Sequence, residues 1–220
     1  MRRPSALLLA ALCLLALPLA SCGGDQPTRL YVLSPTVDKP ASTSPQGLAV
    51  GVGPITLPKY LDRPQIVTRV NGNSLTQANL DQWGGDLNDN ITRVLATDLS
   101  NLLATDRVSL YPWKDGAPVD YQVTLDITRF EQDANGASVL NAFWSIVNPK
   151  DGTVLTMRRT NYTEAGSPVT PPSTTSNLLA DTSSTSSNRP YDALAAAMSR
   201  DLGSLSKDIA TAIQQLRGGS

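Results

Sequence analysis

The sequence predicts an α+β fold in which two long amphipathic helices pack on one face of a single antiparallel or mixed β-sheet. Two observations predict it. Apolar residues recur at helical spacing in two separate stretches, and elsewhere they alternate with polar residues in short runs bounded by turn signals. The predicted order is β-β-β-α-β-β-β-β-α. The first helix therefore lies between two groups of strands, and the second helix follows the last strand.

The strands before the first helix are predicted over residues 48–57, 65–70 and 74–78. The pair Asn71-Gly72 is a strong tight-turn signal between the second and third of them. Residues 30–33 favour an additional short strand nearer the N-terminus. The glycines at positions 51 and 53 are followed by a proline and not by a helix. They therefore indicate a bent or bulged strand with a close backbone approach, not a nucleotide-binding loop.

Each predicted helix carries one apolar stripe. The first helix starts at Asp86, and its stripe contains Leu87, Ile91, Val94, Leu95, Leu99, Leu102 and Leu103. The second starts near Pro190, and its stripe contains Leu194, Met198, Leu202, Leu205, Ile209, Ile213 and Leu216. One stripe at 3.6-residue spacing buries one side of a helix, so both helices are expected to pack against the sheet.

The strands between the helices are predicted over residues 107–110, 119–130, 138–147 and 153–162. The last three are joined by close turns, which is typical of an antiparallel meander. Residues 165–188 are nearly all Gly, Ser, Thr, Pro and Asn, which predicts a long flexible loop before the second helix.

The N-terminus has the pattern of a lipoprotein signal. Arg2 and Arg3 precede an apolar run that is too short to span a bilayer, and the run ends in Leu19-Ala20-Ser21-Cys22. This pattern predicts that residues 1–21 are cleaved and that Cys22 is acylated. Residues 22–47 then form a lipidated N-terminus and linker, and residues 48–217 form the folded domain. Gly23, rather than an aspartate, favours the outer membrane by analogy with the enterobacterial sorting rule.

Composition excludes several classes of function. The chain has no histidine, and its only cysteine besides Cys22 lies in the predicted signal, which removes most metal and nucleophilic catalytic sites. The formal net charge of −1 gives no basic excess for nucleic-acid binding. No enzyme signature is present, and we predict no catalytic residue, no metal and no cofactor. The carboxylates of Asp120, Asp126 and Glu131 are expected to be solvated surface.

The most unusual local run lies between the first two strands. Two prolines, Pro58 and Pro64, enclose an aromatic residue, an aliphatic residue and a charge pair. One interpretation is a rigid connection whose Tyr60 and Leu61 plug the sheet edge. The other is a presented loop that docks another protein, since loops on rigid scaffolds carry recognition. The second interpretation gives the candidate partner-binding residues Tyr60, Leu61, Asp62 and Arg63.

This run is also the centre of a resemblance. Val50-Gly51-Val52-Gly53-Pro54 followed by Leu57-Pro58-x-Tyr60-Leu61-Asp62-Arg63-Pro64-Gln65-Ile66-Val67 resembles the PqiC/YmbA family of ABC-type transport auxiliary lipoproteins. The other segments that fit are Tyr31-x-Leu33-x-Pro35, Trp83, Arg107-Val108-x-x-Tyr111-Pro112-Trp113, Asp120-Tyr121-x-Val123 and Arg129-Phe130-Glu131. The resemblance covers essentially the whole mature chain.

The resemblance implies a role without catalysis. Such lipoproteins lie on the periplasmic face of the outer membrane and partner an MCE-domain protein of an ABC-type system that moves lipids between membranes. It implies docking of that partner, with a homo-oligomeric ring of identical subunits as one arrangement, and support of envelope integrity. The alternative is a structural or assembly lipoprotein that acts on an outer-membrane barrel or on peptidoglycan.

Overall fold

One mixed sheet and two helices form the fold of a computed structural model that describes residues 27–42, 47–113, 117–166 and 189–219. The predicted signal segment and Cys22 lie outside the described residues, as do residues 167–188 of the predicted flexible loop. The α+β class and the packing of both helices against a single sheet are confirmed. No helix within the described ranges is both long and apolar enough to span a bilayer.

Every predicted strand and helix is present, with ends that differ by a few residues. The strands are β1 (Arg29–Tyr31), β2 (Val50–Thr56), β3 (Gln65–Asn71), β4 (Ser74–Trp83), β5 (Val108–Leu110), β6 (Tyr121–Gln132), β7 (Ser138–Val147) and β8 (Val154–Glu164). The helices are α1 (Leu87–Leu102) and α2 (Asp192–Gly218). The largest difference is in β4, which continues to Trp83 because β1 pairs with its last residues in parallel.

Strand β6 joins the parts of the sheet. One of its edges is antiparallel to β7, which in turn pairs with β8, so the predicted meander is confirmed. Its other edge pairs in parallel with β2 and, only at Gln132, with β3. Beyond these neighbours, β5 lies beside β2, while β4 and then β1 lie beside β3. Parallel and antiparallel pairs therefore coexist in one sheet.

The core lies between the sheet and the two helices. Along β6 the inward positions are Val123, Leu125 and Ile127, all buried. A register shift against β7 between Ile127 and Arg129 then brings Phe130 inward, so the alternation changes phase at a bulge. The helix stripes are buried as predicted except for their C-terminal leucines, which are partly exposed.

The start of α1 is where the sequence predicts it. The Asp86 side chain accepts hydrogen bonds from the backbone N–H groups of Asn88 and Asp89. It therefore satisfies donors that have no partner within the helix, which is the function of an N-cap residue.

Two carboxylates are fully buried beneath the sheet. Asp98 on α1 accepts hydrogen bonds from the backbone N–H groups of Thr36 and Val37, which fixes the N-terminal segment to the helix. Asp201 on α2 accepts one from the Ser138 hydroxyl at 2.5 Å, and its Oδ1 atom has no hydrogen-bond partner. Burial raises the pKa of Asp201 to about 7, and the negative charge of Glu164 adds to the shift.

We expect the Asp201→Asn variant to lose a pH dependence that the wild type shows. Because the raised pKa means that the folded state binds this proton more tightly, Asp201 lowers the stability as pH rises from about 4 to about 7. The full penalty above pH 7 is about 4 kcal/mol, at 1.36 kcal/mol per pKa unit. The unfolding free energy of the variant minus that of the wild type, measured in urea, is therefore larger at pH 8 than at pH 5. A constant difference would contradict the prediction.

Candidate functional site

A groove follows the exposed side of α1 and is the candidate site. It consists of three adjoining cavities, which we call together the α1 groove. The middle cavity, of about 470 Å³, lies between α1 and the segment Val52–Ile55 and is bounded on one side by Leu110 and Tyr111. A cavity of about 280 Å³ lies at the N-terminus of α1 and is lined by Asp62 and Arg63; it shares no lining residue with the middle one and is next to it at the first turn of the helix. A third, of about 320 Å³, continues along β5 and shares Arg93 and Leu110 with the middle one.

Two distinctive sequence segments meet at this groove. The Tyr111 backbone N–H donates to the Val52 carbonyl at 2.9 Å, which sets the end of β5 against the Gly53-Pro54 segment. Both Gly53-Pro54 and Tyr111-Pro112 are cis peptide bonds. The Tyr111 and Trp113 rings pack edge to face, with centroids 5.5 Å apart.

The two glycines of β2 make room for these aromatic residues. A Cβ atom on Gly51 would lie 2.7 Å from the Trp113 ring, and one on Gly53 would lie 2.8 Å from the Tyr111 Cβ. Gly53 also has a φ of 113°, which L-residues rarely adopt. The expected close backbone approach is therefore confirmed, and its cause is the segment that follows β5.

The loop between β2 and β3 divides the four predicted partner-binding residues into two pairs. Leu61 is 3% exposed and belongs to the core, while the Tyr60 hydroxyl donates to Glu131 Oε2 at 2.9 Å. Asp62 and Arg63 are exposed and line the α1 groove, and Arg63 donates to the Gln77 side chain. Tyr60 and Leu61 thus close the fold, and Asp62 and Arg63 are the pair that a partner can reach.

The expectation that Glu131 is solvated surface is wrong. Asp120 and Asp126 are exposed as predicted, but the Glu131 side chain is fully buried on the outer side of β6. Its Oε1 atom accepts from Arg69 Nε and from Arg129 Nε, each at 2.8 Å. Strict alternation after Ile127 would put Glu131 on the inner face of the sheet. The bulge between Ile127 and Arg129 turns it to the outer side instead, where the distant Tyr60 and Arg69 cover it.

The contacts around Glu131 hold β3, β6 and the loop between β2 and β3 together, and they do not prepare Glu131 to act as a catalytic base. Two guanidinium groups and one phenol already donate to this carboxylate, so its negative charge is compensated. Burial, followed by the Glu131 charge, raises the pKa of Tyr60 to about 12, which keeps the phenol protonated as a donor. Among the described residues, no three carboxylate, Cys or His side chains are grouped so that they can hold a metal ion.

The charges of the α1 groove have both signs. Asp62, Asp86 and Asp89 line it together with Arg63 and Arg93. Arg93 donates to the Asn90 side chain, and neither arginine forms a salt bridge within the described part of the chain. An exposed groove with apolar walls and charged groups of both signs is suited to recognise an extended protein segment.

The Glu131→Gln variant is expected to be about 3 kcal/mol less stable than the wild type, because removal of the charge leaves two arginines without their shared carboxylate. The matched control is Asp126→Asn on the same strand, where an exposed carboxylate contributes within about 0.5 kcal/mol. Urea denaturation measures both. Equal stabilities of the two variants would show that the Glu131 cluster does not hold the fold.

Comparison with known proteins gives one family match. The model of the ABC-type transport auxiliary lipoprotein component family matches residues 31–210. No curated protein sequence matches the chain.

Solved structures share the fold at low identity. A protein from Xanthomonas campestris has a TM-score of 0.63 and 16% identity, over 86% of this chain and 99% of that chain. The crystal structure of an uncharacterized protein gives a TM-score of 0.60 at the same identity and coverage. A PelC dodecamer from Paraburkholderia phytofirmans reaches a TM-score of only 0.33, at 14% identity over 56% of this chain and 76% of that chain. At these identities the first two structures show the fold alone.

Proposed function

Because the chain belongs to the family of ABC-type transport auxiliary lipoprotein components, we propose that it docks the MCE-domain substrate-binding subunit of an ABC-type lipid-transport system. In this proposal the protein is anchored to the periplasmic face of the outer membrane through acylated Cys22. It has no catalytic step of its own, and its task is to receive the partner and so support envelope integrity.

The α1 groove is the observation that carries the proposal. It is lined by parts of two segments of unusual composition that are far apart in sequence. Residues of the loop from Pro58 to Pro64 line the cavity at the N-terminus of α1, and Leu110 and Tyr111 line the middle cavity. Leu110 and Tyr111 are 45% and 51% exposed, so two adjacent large side chains present apolar surface beside the groove. A rigid scaffold that presents such residues is typical of recognition.

The groove fits a protein segment better than a small molecule. Its cavities are open, and they form a line along α1 instead of one enclosed pocket. Partners recognised in this way contribute a helix or an extended chain with apolar anchors and a few charges. In a ring of identical subunits, several such grooves would face one partner, and the binding would gain from multivalency.

Reversal of charge at the loop and disruption of the apolar wall are expected to weaken partner binding at least tenfold. The variants are Arg63→Glu and Leu110→Lys, both at exposed positions where the fold tolerates change. Met157→Lys on β8 is the matched control, because Met157 is 67% exposed and lies outside the groove. The measurement is co-purification with the MCE-domain protein, followed by titration of the purified pair.

Unchanged binding in both groove variants would contradict the assignment of this surface. Recovery of an outer-membrane barrel or of peptidoglycan in place of the MCE-domain protein would overturn the proposed function in favour of a structural or assembly lipoprotein.

The Cys22→Ser variant is expected to lose the membrane attachment, because a hydroxyl group cannot take the thioether-linked lipid. The wild type should be found with the outer membrane after density-gradient fractionation, and the variant in the inner-membrane or soluble fractions. Two or three acyl chains provide stable anchoring, so the wild type should resist extraction by high salt. Recovery of the wild type with the inner membrane would contradict the outer-membrane assignment alone.

A further inference from the structure

A second cleft lies on the opposite helix, beside the point where the described chain begins. Its volume is about 450 Å³, and it lies between the segment that follows β1 and the first turns of α2. Leu30, Val32, Ala195 and Ala196 form its apolar walls, and Arg189 and Arg200 stand at its rim. We call it the N-terminal cleft. None of its lining residues is shared with the α1 groove.

The aliphatic residues of this cleft are exposed in a regular pattern. Tyr31 and Leu33 point into the core and are 3% and 2% exposed, whereas Leu30 and Val32 are 54% and 51% exposed. Alternation along an extended segment places the latter two on the same outward side. Two neighbouring aliphatic side chains at the mouth of an apolar cleft form a surface that favours an apolar contact.

The two arginines at the rim are held by neighbouring groups but remain nearly half exposed. Arg189 lies over the Tyr31 ring, with its Cζ atom 4.9 Å from the ring centroid, donates to the Leu30 carbonyl and pairs with Asp192 at 3.1 Å. Arg200 pairs with Glu164 at 3.1 Å and donates to the Ala165 carbonyl at 3.0 Å. Both guanidinium groups are nearly half exposed, and exposed pairs of this kind are weak and readily exchanged for a phosphate.

We propose that the N-terminal cleft lies against the phospholipid headgroup layer of the membrane that holds the lipid anchor. Leu30 and Val32 then enter the interface, and Arg189 and Arg200 contact lipid phosphates. This inference rests on the acylation of Cys22 that is proposed above. It adds an orientation to that attachment, because it states which face of the domain touches the bilayer.

The length of the tether supports this occupant. Pro27, where the described chain begins, is the fifth residue after Cys22, so the two lie at most about 18 Å apart when the chain is fully extended. β1 follows two residues later, at the edge of the sheet. Because the tether holds this surface close to the bilayer, the effective concentration of lipid at the surface is high. Even a weak contact is therefore populated. The apolar residues and the cations are the two components that interfacial contacts use.

Headgroup quenching on the acylated full-length mature protein tests the proposal. In that protein the Cys22 thiol is blocked by lipid, so a Val32→Cys substitution provides a single thiol for an environment-sensitive fluorophore. The protein is reconstituted in vesicles of phosphatidylethanolamine and phosphatidylglycerol that contain a headgroup-linked quencher. Met157→Cys, at an exposed position of β8, is the matched control. We expect at least twofold stronger quenching, with a blue-shifted emission, at position 32.

Equal quenching at positions 32 and 157 would overturn the proposal. A second variant tests the arginines: Arg189→Gln combined with Arg200→Gln should reduce the quenching at position 32, and no reduction would overturn their contact with phosphates. The experiment contains no partner protein, so its failure would leave the docking proposal intact. Conversely, loss of partner binding would leave the quenching result intact, and a Cys22 that carries no lipid would be detected by mass spectrometry before reconstitution.

Discussion

The structure depends on the pairing of β6, because one edge of this strand has two different neighbours. β2 pairs with its residues up to Asp126, and β3 pairs with it only at Gln132. Between these points no strand of the described residues pairs with that edge, and β6 is bulged against β7 in the same stretch. A sheet that divides in this way needs something other than a strand to cover the gap. The loop from Pro58 to Pro64 reaches this stretch through Tyr60, whose hydroxyl donates to Glu131 at 2.9 Å.

The Glu131 cluster explains why that loop has one conformation. Three donors from three parts of the chain meet on this carboxylate: Arg69 of β3, Arg129 of β6 itself and Tyr60 of the loop. A buried charge that lost any of them would be costly, so the cluster disfavours other positions of the loop. With Tyr60 fixed and Leu61 in the core, the following charge pair is presented outward at a defined place. The structural interpretation of the loop therefore applies to Tyr60 and Leu61, and the proposed recognition concerns only Asp62 and Arg63.

Periodicity in the sequence was enough for the helices and the meander, because those elements are specified by residues close together in the chain. It did not predict the position of Glu131 relative to solvent, since alternation reveals neither the bulge after Ile127 nor the residues that cover a side of the sheet. The α1 groove was also not visible in the sequence. Its two walls are joined by parallel pairing between β2 and β5, which has no local turn signal. The prolines and aromatic residues made each wall unusual in the sequence. Only the pairing of β2 with β5 shows that the two walls form one surface.

The separation of the two proposed surfaces has a physical consequence. α1 lines one groove and α2 lines the N-terminal cleft, and the helices pack against each other in one rigid core. A lipid anchor alone would localise the domain but leave it free to rotate about its tether. Contact of the cleft with the headgroup layer would remove most of that freedom and hold the α1 groove in a fixed orientation to the bilayer. A partner that arrives from the periplasm would then meet a preoriented groove, and less rotational entropy would be lost on binding.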